Sequence, residues 1–130
     1  MDLNVLVRNA LIRHGIVNIE ENGAFHMTMC SGSKKWRVLI AASGDDIICC
    51  AQFPWRTGNA SLRVLNELNL NQNVGCFMLS GGYIILRCGS GPADPMEAGE
   101  LAISLIRRCG SEVCRFWDKV YSAAEVGNEL

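Results

Sequence analysis

Long apolar stretches and clustered charge are both missing from this sequence of 130 residues. It contains no run of about 18 apolar residues that could span a bilayer, and its first residues, MDLNVLVRNALIRHG, lack the pattern of a signal peptide. We therefore expect a cytoplasmic protein without membrane contact. Twelve Lys and Arg balance thirteen Asp and Glu, and the basic residues form only short pairs. Because nucleic-acid binding needs a basic stripe that neutralises phosphates, we expect no nucleic-acid partner.

Motifs for metals and cofactors are missing as well. The sequence has seven cysteines, but neither the Cys49 and Cys50 pair nor the Cys109 and Cys114 pair has the C-x-x-C spacing of zinc sites and redox dithiols. We interpret these cysteines as small buried hydrophobic residues. The stretch GSGPADP lacks the third glycine of a dinucleotide fingerprint and does not lie in a βαβ unit. The sequence therefore predicts no catalytic residue, no cofactor and no metal.

The spacing of apolar residues predicts one α+β domain covering residues 1–130. A first helix is expected from about Leu3 to His14, with Gly15 beyond its end. The period changes to two from Ile16 to Phe53, which predicts three or four strands. Pro54 cannot donate a ladder hydrogen bond and is expected to help end the last of these strands. A short helix from Ala60 to Leu70 with Asn59 as its N-cap, a hairpin around SGG and a last helix follow. Short links between strands indicate antiparallel pairing, so the order α-β-β-β(-β)-α-β-β-α predicts an antiparallel sheet with helices on one face.

The last helix has the clearest local signals in the sequence. Asp94 at the N-cap and Glu97 three positions later resemble a capping box, and the helical pattern continues without a break from Met96 to Tyr121. Gly99 and Gly110 lie on its apolar half, where each costs up to about 1 kcal/mol relative to alanine. The close approach of a neighbouring backbone would explain why glycine is present at both positions.

Four asparagines lie between the second helix and the next strand. Asn69 falls within the apolar arc of the helix, so we predict that its side chain is buried and hydrogen-bonded to nearby main chain. Asn71 and Asn73 tolerate the left-handed backbone conformation with which the chain can leave the helix. We interpret this stretch as a structural joint and not as a ligand site.

Six apolar residues lack an evident partner within this arrangement. They are Val5 and Ile12 on the back of the first helix, Leu39, Ile48 and Cys50 on the second face of the sheet, and Trp55 just after a strand. Monomeric proteins rarely expose large contiguous apolar patches, so these residues are candidates for a dimer contact or for a groove that holds a partner. The alternative is that they are scattered singly on the surface, which is common.

Several stretches together carry a family resemblance. They are RHGI at the end of the first helix, GAFHMTM and WRVLIAA in the strands, LNELNLNQNVGCFML followed by GGYIILRC, and RFWDKVY in the last helix. From about Val5 to Tyr121 the sequence resembles the YbjN-type family, often labelled bacterial sensory transduction regulators, whose fold is that of type III secretion chaperones. The resemblance implies a homodimeric α/β sandwich that binds protein and has no catalytic residues.

Three functions are compatible with these observations. The first is a non-catalytic, homodimeric adaptor or regulator that binds another protein. The second is a chaperone-like binder of an extended partner segment. The third is an enzyme or thiol-redox protein that uses Cys or His, for which a thiol or imidazole with a shifted pKa in a pocket would be the expected sign.

Overall fold

The computed structural model describes residues 2–57, 61–71 and 74–128. Within them the chain forms four helices and six strands. Asn59 and Asn73, for which the sequence predicts structural roles, lie outside the described residues. The elements in chain order are α1 (Leu3–Arg13), β1 (Ile19–Glu21), β2 (Ala24–Ser31), β3 (Lys34–Ser43), β4 (Asp46–Arg56), α2 (Ser61–Leu70), β5 (Cys76–Ser80), β6 (Tyr83–Pro92), α3 (Ala98–Arg115) and α4 (Trp117–Asn128).

The six strands form one antiparallel sheet in the order β1-β2-β3-β4-β6-β5. The turn between β1 and β2 has positive φ angles at Asn22 (54°) and Gly23 (75°), and the turn between β5 and β6 has them at Gly81 (59°) and Gly82 (85°). Two successive residues with positive φ suit the right-handed twist of a tight hairpin. The predicted α+β fold and the predicted SGG hairpin are confirmed.

The first helix begins and ends where the sequence predicts. The side chain of Asp2 accepts a hydrogen bond from the Asn4 N–H at 2.9 Å, which caps the N-terminus. At the other end Gly15 has a φ of 66°, and the Ile16 N–H bonds to the Leu11 carbonyl at 2.9 Å. This left-handed glycine turns the chain towards β1.

Two glycines in α3 lie at close contacts. A Cβ atom at Gly99 would lie 3.1 Å from the Ala10 Cβ and 3.4 Å from the Leu6 carbonyl oxygen, so α1 and α3 approach closely there. A Cβ atom at Gly110 would lie 3.0 Å from a ring carbon of Trp36. The neighbour of Gly110 is therefore a buried indole ring and not a backbone.

The predicted capping box at the start of the last helix is wrong. The Asp94 carboxylate accepts a hydrogen bond from the Met96 N–H at 2.9 Å, and the Asp94 carbonyl accepts one from the Glu97 N–H at 2.9 Å. These bonds close a turn before the helix begins. Helix α3 starts at Ala98, and Glu97 is its N-cap without a side-chain hydrogen bond.

The predicted continuous last helix is also wrong, because α3 and α4 are separated at Phe116. This residue has φ −102° and ψ 11°, outside the helical range. The Phe116 ring packs edge-on against Phe77 with centroids 5.6 Å apart, and the Trp117 ring packs against Trp55 at 4.7 Å. Consecutive residues of a straight helix point about 100° apart, so the break lets both neighbouring aromatic side chains reach the interior.

Strand β4 extends beyond the point predicted from its proline. Pro54 was expected to help end the strand, but β4 continues to Arg56. The register between β4 and β6 is irregular from Gln52 to Arg56, and Pro54 is exposed. A proline is tolerated at such an irregularity because its missing N–H removes no regular ladder bond.

Candidate partner-binding surface

The two faces of the sheet differ in what covers them. One face lies under the helices, and its alternating side chains, such as Phe25, Ile40, Phe53 and Leu86, are fully buried or nearly so. No described element covers the other face. We call this second surface the open sheet face and define it by the residues Ile19, His26, Thr28, Arg37, Leu39, Ile48, Cys50, Gln52, Cys76, Met78, Ile85 and Arg87.

Strand register aligns the open sheet face in cross-strand rows. Paired positions form two neighbouring rows. The first row is Thr28, Arg37, Gln52, Ile85 and Met78. The second row is Ile19, His26, Leu39, Cys50, Arg87 and Cys76. Leu39, Cys50 and Ile85 therefore lie at the centre, and they are half-buried although no described element lies over them. Arg37 and Arg87 flank this apolar centre at diagonally opposite corners, and both are exposed.

Two adjoining grooves run over this face. The larger encloses about 690 Å³ and extends from Val17 and Ile19 across the strands to Ile85. The smaller, of about 240 Å³, continues towards Tyr83 and shares Thr28, Arg37 and Gln52 with the first. No Asp or Glu among the described residues lines either groove.

The predicted surface residues do not form a single surface. Leu39 and Ile48 lie half-buried on the open sheet face. Val5 and Ile12 lie on α1, where they are 40% and 67% exposed. The expectation that Trp55 lacks an intrachain partner is wrong, since its ring packs edge-on against Trp117 at 4.7 Å and against Tyr121 at 5.0 Å.

The sequence-based prediction missed Ile85 of the apolar centre and the two arginines that flank it, Arg37 and Arg87. The available signal was their spacing, because Arg37 lies two positions before Leu39 and Arg87 two positions after Ile85. Residues two apart on a strand share a face. That spacing places each arginine beside an apolar residue of its own strand. It does not show that β3 and β6 bring the two arginines to the same apolar centre.

Asn69 makes the main-chain contacts that were predicted, but the prediction that it is buried is wrong. Its Oδ1 accepts a hydrogen bond from the Phe77 N–H at 2.7 Å, and its Nδ2 donates to the Phe77 carbonyl at 3.0 Å. The residue itself is exposed. Asn71 does not adopt the left-handed conformation; instead its Nδ2 donates to the Glu67 carbonyl at 2.7 Å, near the end of α2.

Three cysteines meet under the helices instead of forming a reactive site. The sulfur atoms of Cys109 and Cys88 lie 3.0 Å apart, within hydrogen-bond distance, and Cys88 pairs in register with Cys49. All three are buried. Hydrogen bonding to Cys109, followed by burial, raises the pKa of the Cys88 thiol, and hydrogen bonding to Cys49 raises that of Cys109. Both thiols therefore stay protonated at neutral pH, which makes them poor nucleophiles.

Two further features of the described residues concern other kinds of site. No group of three His, Cys, Asp or Glu side chains within residues 2–57, 61–71 and 74–128 is arranged to hold a metal ion. Across the same residues, no helix combines the length and apolar character needed to cross a membrane.

Comparison with known proteins gives a structural relation only. No protein-family model matches the sequence, and no curated protein is significantly similar to it. The crystal structure of YbjN from E. coli, proposed to be a transcription regulator, superposes with a TM-score of 0.62 over 87% of this chain and 86% of that one. This chain has the YbjN fold. The two sequences are 14% identical, so the likeness concerns the fold alone.

A second solved structure also matches. It is the Yersinia pestis type III secretion chaperone SycH in complex with a stable fragment of YscM2. The TM-score is 0.47 at 16% identity, and the match covers 84% of this chain and 98% of SycH.

Proposed function

We propose that this chain is a non-catalytic, cytoplasmic adaptor or regulator, folded as one domain over residues 1–130, that binds another protein through the open sheet face. The observation that carries the proposal is the half-buried apolar centre of Leu39, Cys50 and Ile85 on a sheet face that no described element covers. Apolar surface of this kind is typical of interaction sites. The grooves that cross the strands favour an extended partner segment, which is the chaperone-like form of the same function.

The positions of the cysteines and histidines support binding more than catalysis. A reactive cysteine needs an accessible thiol with a lowered pKa, whereas burial raises the pKa of the Cys50 thiol on the open sheet face. His14 lies at the end of α1 with its Nε2 3.4 Å from the Glu100 carboxylate. His26 pairs in register with Leu39 and Ile19, so apolar side chains and not thiols are its direct cross-strand neighbours.

Placing a carboxylate in the apolar centre tests the proposed binding face. We expect Leu39→Asp to reduce the capture of partner proteins from the native cell at least tenfold, because an unpaired charge would have to be buried in the contact. Quantitative mass spectrometry of the captured proteins measures this effect. Leu62→Asp, at a position on α2 that is 72% exposed, is the matched control. Equal capture by wild type and Leu39→Asp would contradict the proposal.

We also propose that the protein is a homodimer that pairs through the outer side of α1. Val5 and Ile12 are seven residues apart, so they lie on one side of the helix, and both are exposed. We expect sedimentation to give twice the mass of one chain at tens of micromolar, and Val5→Glu with Ile12→Glu to give the mass of a single chain. Leu62→Glu with Leu70→Glu changes two other exposed apolar residues and should leave the dimer intact. A wild-type monomer would contradict the pairing.

A further inference from the structure

We propose that the open sheet face selects an acidic peptide segment, whose apolar side chains cover Leu39, Cys50 and Ile85 while its carboxylates pair with Arg37 and Arg87. This inference rests on the proposed protein-binding function and adds the chemistry of the partner.

The strand register places the two arginines around one apolar centre. Arg37 lies opposite Gln52, and Arg87 lies opposite Cys50. The two arginines are separated by two strand spacings and by two residues along the strands, which is roughly 12 Å between their Cα atoms. A short peptide that covers the centre therefore lies within reach of both guanidinium groups.

Charge on the two arginines is not compensated within the described chain. Neither forms an ion pair with a described residue, and no described Asp or Glu lines the grooves. Four other arginines have carboxylate partners: Arg8 with Glu20, Arg13 with Glu100, Arg63 with Glu67 and Arg115 with Glu112. Arg56, Arg107 and Arg108 form no ion pair with a described residue, but they lie outside the open sheet face as defined above. The whole chain has a net charge of −1, so these two arginines do not belong to a generally basic chain.

Other occupants suit the face less well. In a symmetric dimer the same patch of both copies meets, which would bring four arginines into one contact whose grooves contain no described carboxylate. A nucleic acid would gain phosphate contacts from the arginines, but it would leave the apolar centre without apolar partners, and specific binding depends on many phosphate contacts. A peptide with both acidic and apolar residues matches both parts of the face.

Selection from a library of random twelve-residue peptides tests this proposal. We expect peptides that bind the wild-type protein to be enriched in Asp and Glu together with Leu, Ile or Phe. For an enriched peptide, Arg37→Glu with Arg87→Glu should weaken binding about tenfold, the effect of losing two solvent-exposed ion pairs. The control is Arg107→Glu with Arg108→Glu, which makes the same charge change at exposed positions of α3 and should leave binding unchanged.

Each contrary result has a separate meaning. Enrichment of apolar peptides without an acidic bias, or an acidic bias that survives Arg37→Glu with Arg87→Glu, would overturn the acidic partner but retain the proposed binding face. If no peptide is enriched and Leu39→Asp captures the same partner proteins as the wild type, both the acidic partner and the proposed binding face are overturned. A third contrary result is that the protein binds a single-stranded oligonucleotide more tightly than any peptide, and loses that binding in Arg37→Glu with Arg87→Glu. This result would assign the arginines to nucleic acid and overturn the proposal.

Discussion

Replacing Phe53 with alanine is expected to lower the free energy of unfolding by about 3 to 5 kcal/mol, the usual cost of removing a buried phenylalanine. The Phe53 side chain is fully buried. Its ring lies 6.2 Å from that of Phe77 and 6.2 Å from that of Trp117. It therefore joins strands β4 and β5 to helix α4, and its removal leaves a cavity where these three elements meet.

Urea unfolding followed by circular dichroism measures this loss as a shift in the midpoint. Phe53→Leu keeps most of the buried volume and should cost less than half as much as the alanine variant. Leu62→Ala, at an exposed position of α2, should change the free energy of unfolding by no more than about 0.5 kcal/mol. A cost below about 1 kcal/mol for Phe53→Ala would show that the aromatic cluster does not support the core.

Stability is expected to fall steeply in alkaline solution because of the buried thiols. The pKa values of Cys88 and Cys109 are raised above the ordinary value of 9.0 by thiol hydrogen bonds and burial. Above pH 9 the unfolded chain loses these protons while the folded chain keeps them, so the folded state binds more protons. Each thiol then lowers the free energy of unfolding by about 1.4 kcal/mol for every pH unit above 9. The stabilisation is complete below pH 9 and declines as the pH rises above it.

Urea unfolding at pH 8, 9, 10 and 11 under reducing conditions measures this dependence. Cys109→Ala removes one buried thiol and should reduce the alkaline slope, whereas Cys30→Ala, at an exposed position, should leave it unchanged. Tyrosine and lysine side chains also titrate in this range, and these matched variants separate their effect. Identical slopes for wild type and Cys109→Ala would show that the buried thiols do not cause the decline.

Local patterns in the sequence predicted the strands and the first helix well, and the ends of the last helix poorly. Alternation of apolar residues assigned Ile47 and Ile48 to opposite faces of β4, and burial in the structure agrees. The helix that contains Phe116 looked continuous because its apolar period is not interrupted there. The break depends on where the partners Phe77 and Trp55 lie, and these are distant in the sequence.

The candidate surface was predictable only in part for the same reason. Period-two alternation identifies Leu39 and Ile48 as residues of the second sheet face. It cannot show that Arg37 and Arg87 flank one centre. Their strands β3 and β6 lie on either side of β4 in the sheet, and α2 and β5 separate β4 from β6 along the chain. Trp55 was misjudged since its neighbours Trp117 and Tyr121 lie more than sixty positions later in the chain.

The pairing of Asn69 with Phe77 limits how copies of this chain can assemble. β5 lies at one edge of the sheet, where the Asn69 amide already engages the N–H and C=O of Phe77. An incoming strand cannot bond to those groups. The other edge is β1, with three residues. Edge-to-edge addition of further copies at β5, the step that would build a fibre, is therefore hindered at Phe77.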